Sequence, residues 1–156
     1  LREVTLDLAV HDAVHLRLAR ADQRYTALRR TLVETLSRAD RPLTIPELLA
    51  AAPSLSQSGA YRNVAVLVDL GVVDRIAGTD DHGRYELAEQ FAGHHHHLVC
   101  DVCGLVEDLH ASPKLERALA EAARVASEEQ GYAVIDHRVE LSGQCPRCRA
   151  AAPGTS

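Results

Sequence analysis

Four consecutive histidines, His94, His95, His96 and His97, run within three residues into Cys100-x-x-Cys103, and a second Cys-x-x-Cys follows at Cys145 and Cys148. Two intervening residues let both sulfurs of a pair turn onto one ion. Two pairs complete a tetrahedral shell of four thiolates, the ligand set of a closed, structural Zn2+ site. The competing chemistry, a redox dithiol, usually occurs as a single pair beside a thioredoxin-like βαβ unit. The separation between the pairs is long for a compact zinc ribbon, so a small subdomain must fold between them.

The histidines have a geometric reading. Their run is internal and leads straight into Leu98 and Val99, unlike a purification tag. In an extended strand successive side chains point to opposite faces. His94 and His96 then share one face, His95 and His97 the other, and one strand serves two sites. Each pair needs one or two further ligands. His137, Glu116 and Glu121 are candidates on one face, and Glu86, Glu107, Asp108 and His110 on the other. Imidazole mixed with carboxylate suits zinc, iron, nickel or manganese without choosing among them.

Two modules position these residues. Residues 10–88 read as four helices and a hairpin. Thr26 is a candidate N-cap for a helix with Leu28, Leu32, Val33 and Leu36 at helical spacing. Thr44, Pro46 and Glu47 form a capping-box pattern with proline in the first turn, and that helix stops before Pro53. Ser56 or Ser58 caps the next helix. Val64, Leu67 and Val68, with Tyr61, make its apolar stripe, and Gly71 ends it. Two short strands around a Gly/Asp turn follow. Residues 94–148 read strand (94–100), Cys-x-x-Cys-Gly turn, strand (105–109), helix (112–130), strand (132–142) and the second cysteine pair. The expected fold is α+β: a winged helix-turn-helix over 1–88, a hinge at 89–93, and a small α/β module with the four-cysteine zinc over 94–149. Residues 150–156 are expected to be a disordered tail.

In a winged helix-turn-helix the second helix enters the major groove, N-terminal residues first. Gln57, Ser58, Tyr61, Arg62 and Asn63 then meet base edges and phosphates. The net charge of −5 argues mildly against nucleic acid. Charge is local, however, and residues 17–41 carry seven arginines against three acids. No apolar run approaches the roughly 18 residues of a membrane span. No basic segment leading into an apolar one marks a signal peptide. A cytoplasmic location without a membrane partner is expected.

Taken together, "LSQSGAYRNVAVLVDLGVV", "RYEL", "HHHHLVCDVCG" and "SGQCPRC" resemble the ferric-uptake-regulator superfamily of metal-sensing repressors over roughly residues 20–148. The Tyr-Arg pair early in the recognition helix and the histidine strand running into Cys-x-x-Cys-Gly are specific in combination. The resemblance implies a winged helix joined by a hinge to an α/β dimerisation domain. It implies that Cys100, Cys103, Cys145 and Cys148 hold the structural Zn2+. It makes Glu86, His95, His97 and Asp108 the sensing site. It makes His94, His96 and His137 a second site, completed by Glu116 or Glu121. Tyr61 and Arg62 match the recognition-helix pair, and Arg24 lies where a basic residue often meets the minor groove.

Two departures bear on the metal. Zinc sensors of this superfamily often place a cysteine in the sensing site, whereas all four cysteines here are taken by the structural site. Iron and peroxide sensors of this superfamily often carry a histidine just before the "LTIPELL" equivalent, where this chain has Arg41-Pro42. The histidine strand is closest to the zinc-uptake branch. The expected function is a homodimeric repressor that binds a palindromic double-stranded DNA operator when loaded with an effector metal. Zn2+ is the favoured effector, ahead of Fe2+, Ni2+ and Mn2+. The alternatives are a zinc-dependent hydrolase, using the histidines around an open metal position, and an iron-based peroxide-sensing repressor.

Overall fold

The computed structural model describes residues 2–77 and 82–151, with side chains described from residue 8 onward except at residue 77. The centre of the expected Gly/Asp turn and most of the expected tail lie outside the described residues. Helix α1 (Arg2–Ala19) leads into α2 (Ala27–Ser37), β1 (Leu43–Thr44), α3 (Ile45–Ala51), α4 (Gln57–Asp69), β2 (Val73–Ala77) and β3 (Gly83–Leu87). Short polar side chains fix the helix starts. Thr26, Thr44 and Ser56 each accept from the backbone N–H three residues on, satisfying a donor that the first turn leaves free. Glu47 turns back onto the Thr44 N–H and completes a capping box. Ser56, not Ser58, caps α4. Gly71 ends it at φ +65°, the left-handed conformation that glycine adopts without a Cβ clash.

Val14 and Leu18 of α1, Leu32, Val33 and Leu36 of α2, Ile45 and Leu48 of α3, and Ala60, Val64 and Leu67 of α4 pack with Val72, Val73 and Leu87 into one apolar core. Every member precedes residue 88. Tyr61 is not part of the α4 stripe, being 51% exposed. Strand β1 has no counterpart among the elements that the sequence predicts. Leu43 pairs with Tyr85 and Thr44 with Arg84, giving a three-stranded sheet in the order β1-β3-β2. Two residues are too few to show a period of two.

The expected hinge segment holds a short helix, α5 (Glu89–Ala92), whose Phe91 packs against the core just described. Then come β4 (His96–Cys100), β5 (Val106–Leu109), α6 (Pro113–Gln130), β6 (Glu140–Gly143) and α7 (Pro146–Ala151). The second sheet has the order β5-β4-β6, with β4 antiparallel to β5 and parallel to β6. The strand expected over 132–142 is shorter than the sequence suggested. Only Glu140–Gly143 pairs, opposite His97 to Cys100 of β4. Helix α7 reaches Ala151, two residues into the expected tail. Among the described residues, no helix is long and apolar enough to cross a membrane.

Candidate functional site

The two cysteine pairs meet. Cys100 ends β4, and Gly104 takes φ +68° so that its N–H returns to the Cys100 carbonyl at 2.8 Å. That turn brings Cys103 back beside Cys100. Helix α7 begins directly after Cys145 and carries Cys148. One sulfur from each of the four lies within 4.8 Å of the others, Cys103 Sγ stands 3.8 Å from Cys145 Sγ, and none of the four is in a disulfide. The N–H of Cys145 donates to Cys100 Sγ at 3.3 Å. That bond and one from the Cys103 N–H lower the Cys100 thiol to about 6. Its hydrogen bond to Cys145, with burial, raises the Cys148 thiol to about 12. Four sulfurs so close, with backbone N–H groups favouring the thiolate of Cys100, form a donor set that fits zinc.

The second cluster joins the two sheets. Glu86 of β3 receives His95 Nε2 at 3.1 Å on Oε2 and His97 Nε2 at 3.1 Å on Oε1. Asp108 pairs with His97 in the β4–β5 register, and one donor atom from each of these four residues lies within 4.8 Å of the rest. His95 Nδ1 faces the Gly93 carbonyl at 2.9 Å. A carbonyl and a carboxylate both only accept, so without an ion Nδ1 donates to Gly93 and Nε2 to Glu86. Burial lowers the His95 imidazole, but those two bonds outweigh it and raise it above its ordinary value, and Nε2 is the nitrogen that would turn to a cation. Burial pushes the Glu86 carboxyl up, but hydrogen bonds from His97 and His95 outweigh it and hold it below its ordinary value. Burial raises Asp108, whose Oδ1 is buried with no hydrogen-bond partner among the described residues. Two half-buried carboxylates with convergent imidazoles fit a divalent cation. The cluster opens into a cleft of about 730 Å³ lined also by Arg38, Arg41, Phe91 and His110. His110 and Glu107, the other candidates for this face, are exposed outside the cluster.

The third cluster lies on the other face of the histidine run, of which only His96 and His97 belong to β4, the strand starting two residues later than the expected 94–100. His96 is buried, and its Nε2 meets Glu116 Oε1 at 2.9 Å. His137 Nε2 meets Glu116 Oε2 at 3.2 Å and His94 Nε2 at 3.1 Å. Three imidazoles crowd one carboxylate, with two like nitrogens facing each other, and the set fits a cation. Burial opposes ionisation of Glu116, but hydrogen bonds from the histidines keep its carboxyl below the ordinary value. The sequence left Glu116 and Glu121 open, and the structure brings in Glu116 alone. Five residues are about 500° of helix, so the two point in different directions. Glu121 instead forms an ion pair with Arg124 at 2.6 Å. The sequence reading missed Glu89 and Asp136, which with His94 form a further close group. No periodicity marks a residue from the hinge or from the irregular segment before β6.

The start of α4 presents Gln57, Ser58, Tyr61 and Arg62 to solvent, and Arg24 is exposed in the turn before α2. Asn63 is differently placed. Its Oδ1 accepts from Arg29 Nε at 3.0 Å and its Nδ2 donates to the Gly59 carbonyl at 2.9 Å. Those bonds aim its amide into the protein, away from a base edge. Arg41, standing where a histidine was sought, turns its guanidinium onto Glu47 at 2.7 Å.

A family model described as "Ferric uptake regulator family" matches residues 20–142. The ferric uptake regulation protein of Bacillus subtilis is 34% identical over 98 residues, and the match spans 62% of each chain, less than two thirds of that relative. The peroxide-responsive repressor PerR of Staphylococcus epidermidis is 27% identical over 136 residues, 85% of each chain. The solved structure of the Helicobacter pylori ferric uptake regulator Fur is similar with a TM-score of 0.71 at 19% identity, covering 96% of each chain, a likeness of fold. With its α+β architecture, paired cysteines and divided histidine strand, the chain belongs to the ferric uptake regulator family, whose members are transcriptional regulators and not enzymes.

Proposed function

We propose that this chain is a cytoplasmic, homodimeric, metal-dependent repressor of metal-homeostasis genes. Residues 1–88 read DNA, 89–93 form the hinge, and 94–149 form the dimerisation module with structural Zn2+ on Cys100, Cys103, Cys145 and Cys148. The observation that carries the reading is the meeting of Glu86, from the wing hairpin, with His95, His97 and Asp108 from the second sheet. A divalent cation held there supplies a cross-link between the two modules. Glu86 and the histidines then fix how the recognition helices are carried, and two such helices read successive major grooves about 34–36 Å apart. A coupling of about 1–3 kcal/mol is typical for such linked sites. The zinc-hydrolase alternative falls with the family membership.

Zinc is favoured as the effector because four donors converge without any contribution from Arg41, and zinc prefers four ligands in a tetrahedron. A homodimer is supported by α6, none of whose side chains is buried in the single chain, and by Ile135, which is 96% exposed. Gln57, Ser58, Tyr61 and Arg62 would contact DNA from α4, with Arg24 beside them. Asn63 would brace the helix. The PerR likeness across 85% of each chain supports peroxide sensing as the second reading.

The test is a titration of duplexes, selected from a random-sequence pool, against protein holding its cysteine-bound zinc. Zn2+, Fe2+, Ni2+ and Mn2+ are added separately. Zinc should induce tight binding. His95→Ala with His97→Ala should abolish the response and leave the dimer and one zinc per chain. His94→Ala with His96→Ala should have a milder effect. If both double variants lose one ion and behave alike, the strand does not divide its histidines between two sites. Loss of binding when the iron-loaded protein meets peroxide would move the assignment to the second reading.

A further inference from the structure

Each ring of the His94 to His97 run must present a chosen nitrogen to its cluster, and the hinge helix makes that choice for two of them. Gly93 ends α5, and its carbonyl keeps a proton on His95 Nδ1. At the other end of the same helix, Glu89 takes His94 Nδ1 in a close contact. His94 Nε2 faces the opposite way, 3.1 Å from His137 Nε2 and 3.4 Å from Glu116 Oε2. Glu89 and Glu116 can both only accept, and Glu89, the nearer of the two, draws the proton of the neutral His94 ring to Nδ1, which leaves the Nε2 lone pair pointing into the third cluster.

The residues beside Glu89 tie the same helix to the DNA-reading half. Gln90 Nε2 donates to the Gly71 carbonyl at 2.7 Å, just beyond α4, and Phe91 packs against the core that holds α4. Three successive side chains of α5 therefore grip His94, the end of the recognition helix and the apolar core. This arrangement depends on the spacing of this chain, which leaves room for a helical turn between Leu87 and Gly93.

We propose that Glu89 is a positioning residue for the His94, His96, His137 and Glu116 cluster: it holds His94 in the ligating tautomer and thereby fastens that cluster to the hinge helix. The proposal rests on reading the cluster as a metal site. Outer carboxylates on metal-bound histidines typically contribute 10–100-fold in affinity. Gln90 has no part in ligation, so it transmits the hinge contact without setting the affinity.

The experiment uses the full chain with its cysteine-bound zinc and Zn2+ as probe. Histidine 15N chemical shifts report the apo tautomer, zinc titration reports affinity, and hydrogen exchange reports protection of residues 88–93. Glu89→Ala should move His94 off the Nδ1–H tautomer, weaken zinc at this cluster by about 10–100-fold and reduce zinc-dependent protection of the hinge. Glu89→Gln keeps an accepting oxygen and should restore the tautomer and most of the affinity. Gln90→Ala should leave both at wild-type values and reduce only the hinge protection. Wild-type tautomer and affinity in Glu89→Ala would overturn the positioning role. So would an unchanged tautomer with one ion fewer per chain, since Glu89, His94 and Asp136 would then be holding an ion of their own. If His96→Ala with His137→Ala loses no zinc, the metal reading of the cluster fails instead.

Discussion

Arg29 of α2 and Asn63 of α4 are joined across 34 residues of chain, Arg29 Nε donating to Asn63 Oδ1 at 3.0 Å. Arg29 is 8% exposed, and its guanidinium also donates to the Arg24 carbonyl at 2.7 Å and to Gln23 Oε1 at 3.1 Å. A buried cation thus stitches the turn before α2 to α4. Asn63→Ala would strand one of its donors. The expected loss is about 1–3 kcal/mol of folding stability, measured by urea denaturation without DNA. A variant of wild-type stability would show that the bond braces nothing.

Arg62 is exposed early in α4. Arg62→Ala should leave stability unchanged and weaken DNA binding by about 1–3 kcal/mol, the usual worth of a base contact. Arg138, with a side chain 81% exposed in the other module, is the control, and Arg138→Ala should bind DNA normally. Equal losses in the two variants, read by fluorescence anisotropy, would count against α4 as the reading helix.

The four-cysteine site is expected to contribute directly to folding, as closed zinc sites do. Cys100→Ser or Cys145→Ser removes a buried thiol, and should give a destabilised or monomeric protein at every concentration of added metal. Zinc per chain and sedimentation velocity are the measurements. A stable, metal-responsive Cys100→Ser dimer would remove the structural role.

Glu47 supplies a pH test away from the candidate metal ligands. Burial pushes its carboxyl up, but hydrogen bonds from Arg41 and Thr44 outweigh it and set it at about 2, against an ordinary value of 4.5. The folded value is the lower one, so the ionised group contributes stability above about pH 4.5, and that contribution is lost as the pH falls through about 2. The stability difference between wild type and Glu47→Gln should therefore be constant near neutrality and shrink below about pH 4.5. A difference that does not change with pH would mean that Arg41 and Thr44 do not favour the ionised form.

Local chemistry was legible where a short-range rule applies. Thr26, Thr44 and Ser56 marked helix starts, Gly71 marked an end, and the alternation of His94 to His97 divided the donors between two faces. What could not be read depended on distant partners. Leu43 and Thr44 become a strand because Tyr85 and Arg84 offer an edge. Residues 132–138 lie before the stretch that meets β4, which begins where the Val139 carbonyl accepts from His97 and continues over Glu140–Gly143. Asn63, a polar residue early in a recognition helix, looks like a base reader until Arg29 occupies it. Glu116 and Glu121 were indistinguishable while the orientation of α6 was unknown.

The divided strand has a consequence for how such a chain can change over generations. Residues 94–97 alternate between the two clusters, and His96 and His97 do so as members of β4. With β4 held in register by its neighbours, one residue inserted between His96 and His97 would move His96 to the place that His95 now holds beside Glu86 and put the new residue where His96 meets Glu116. A change of two residues would restore the order. Length variation in this segment should therefore be tolerated in even steps and selected against in odd ones, however conservative the residues involved.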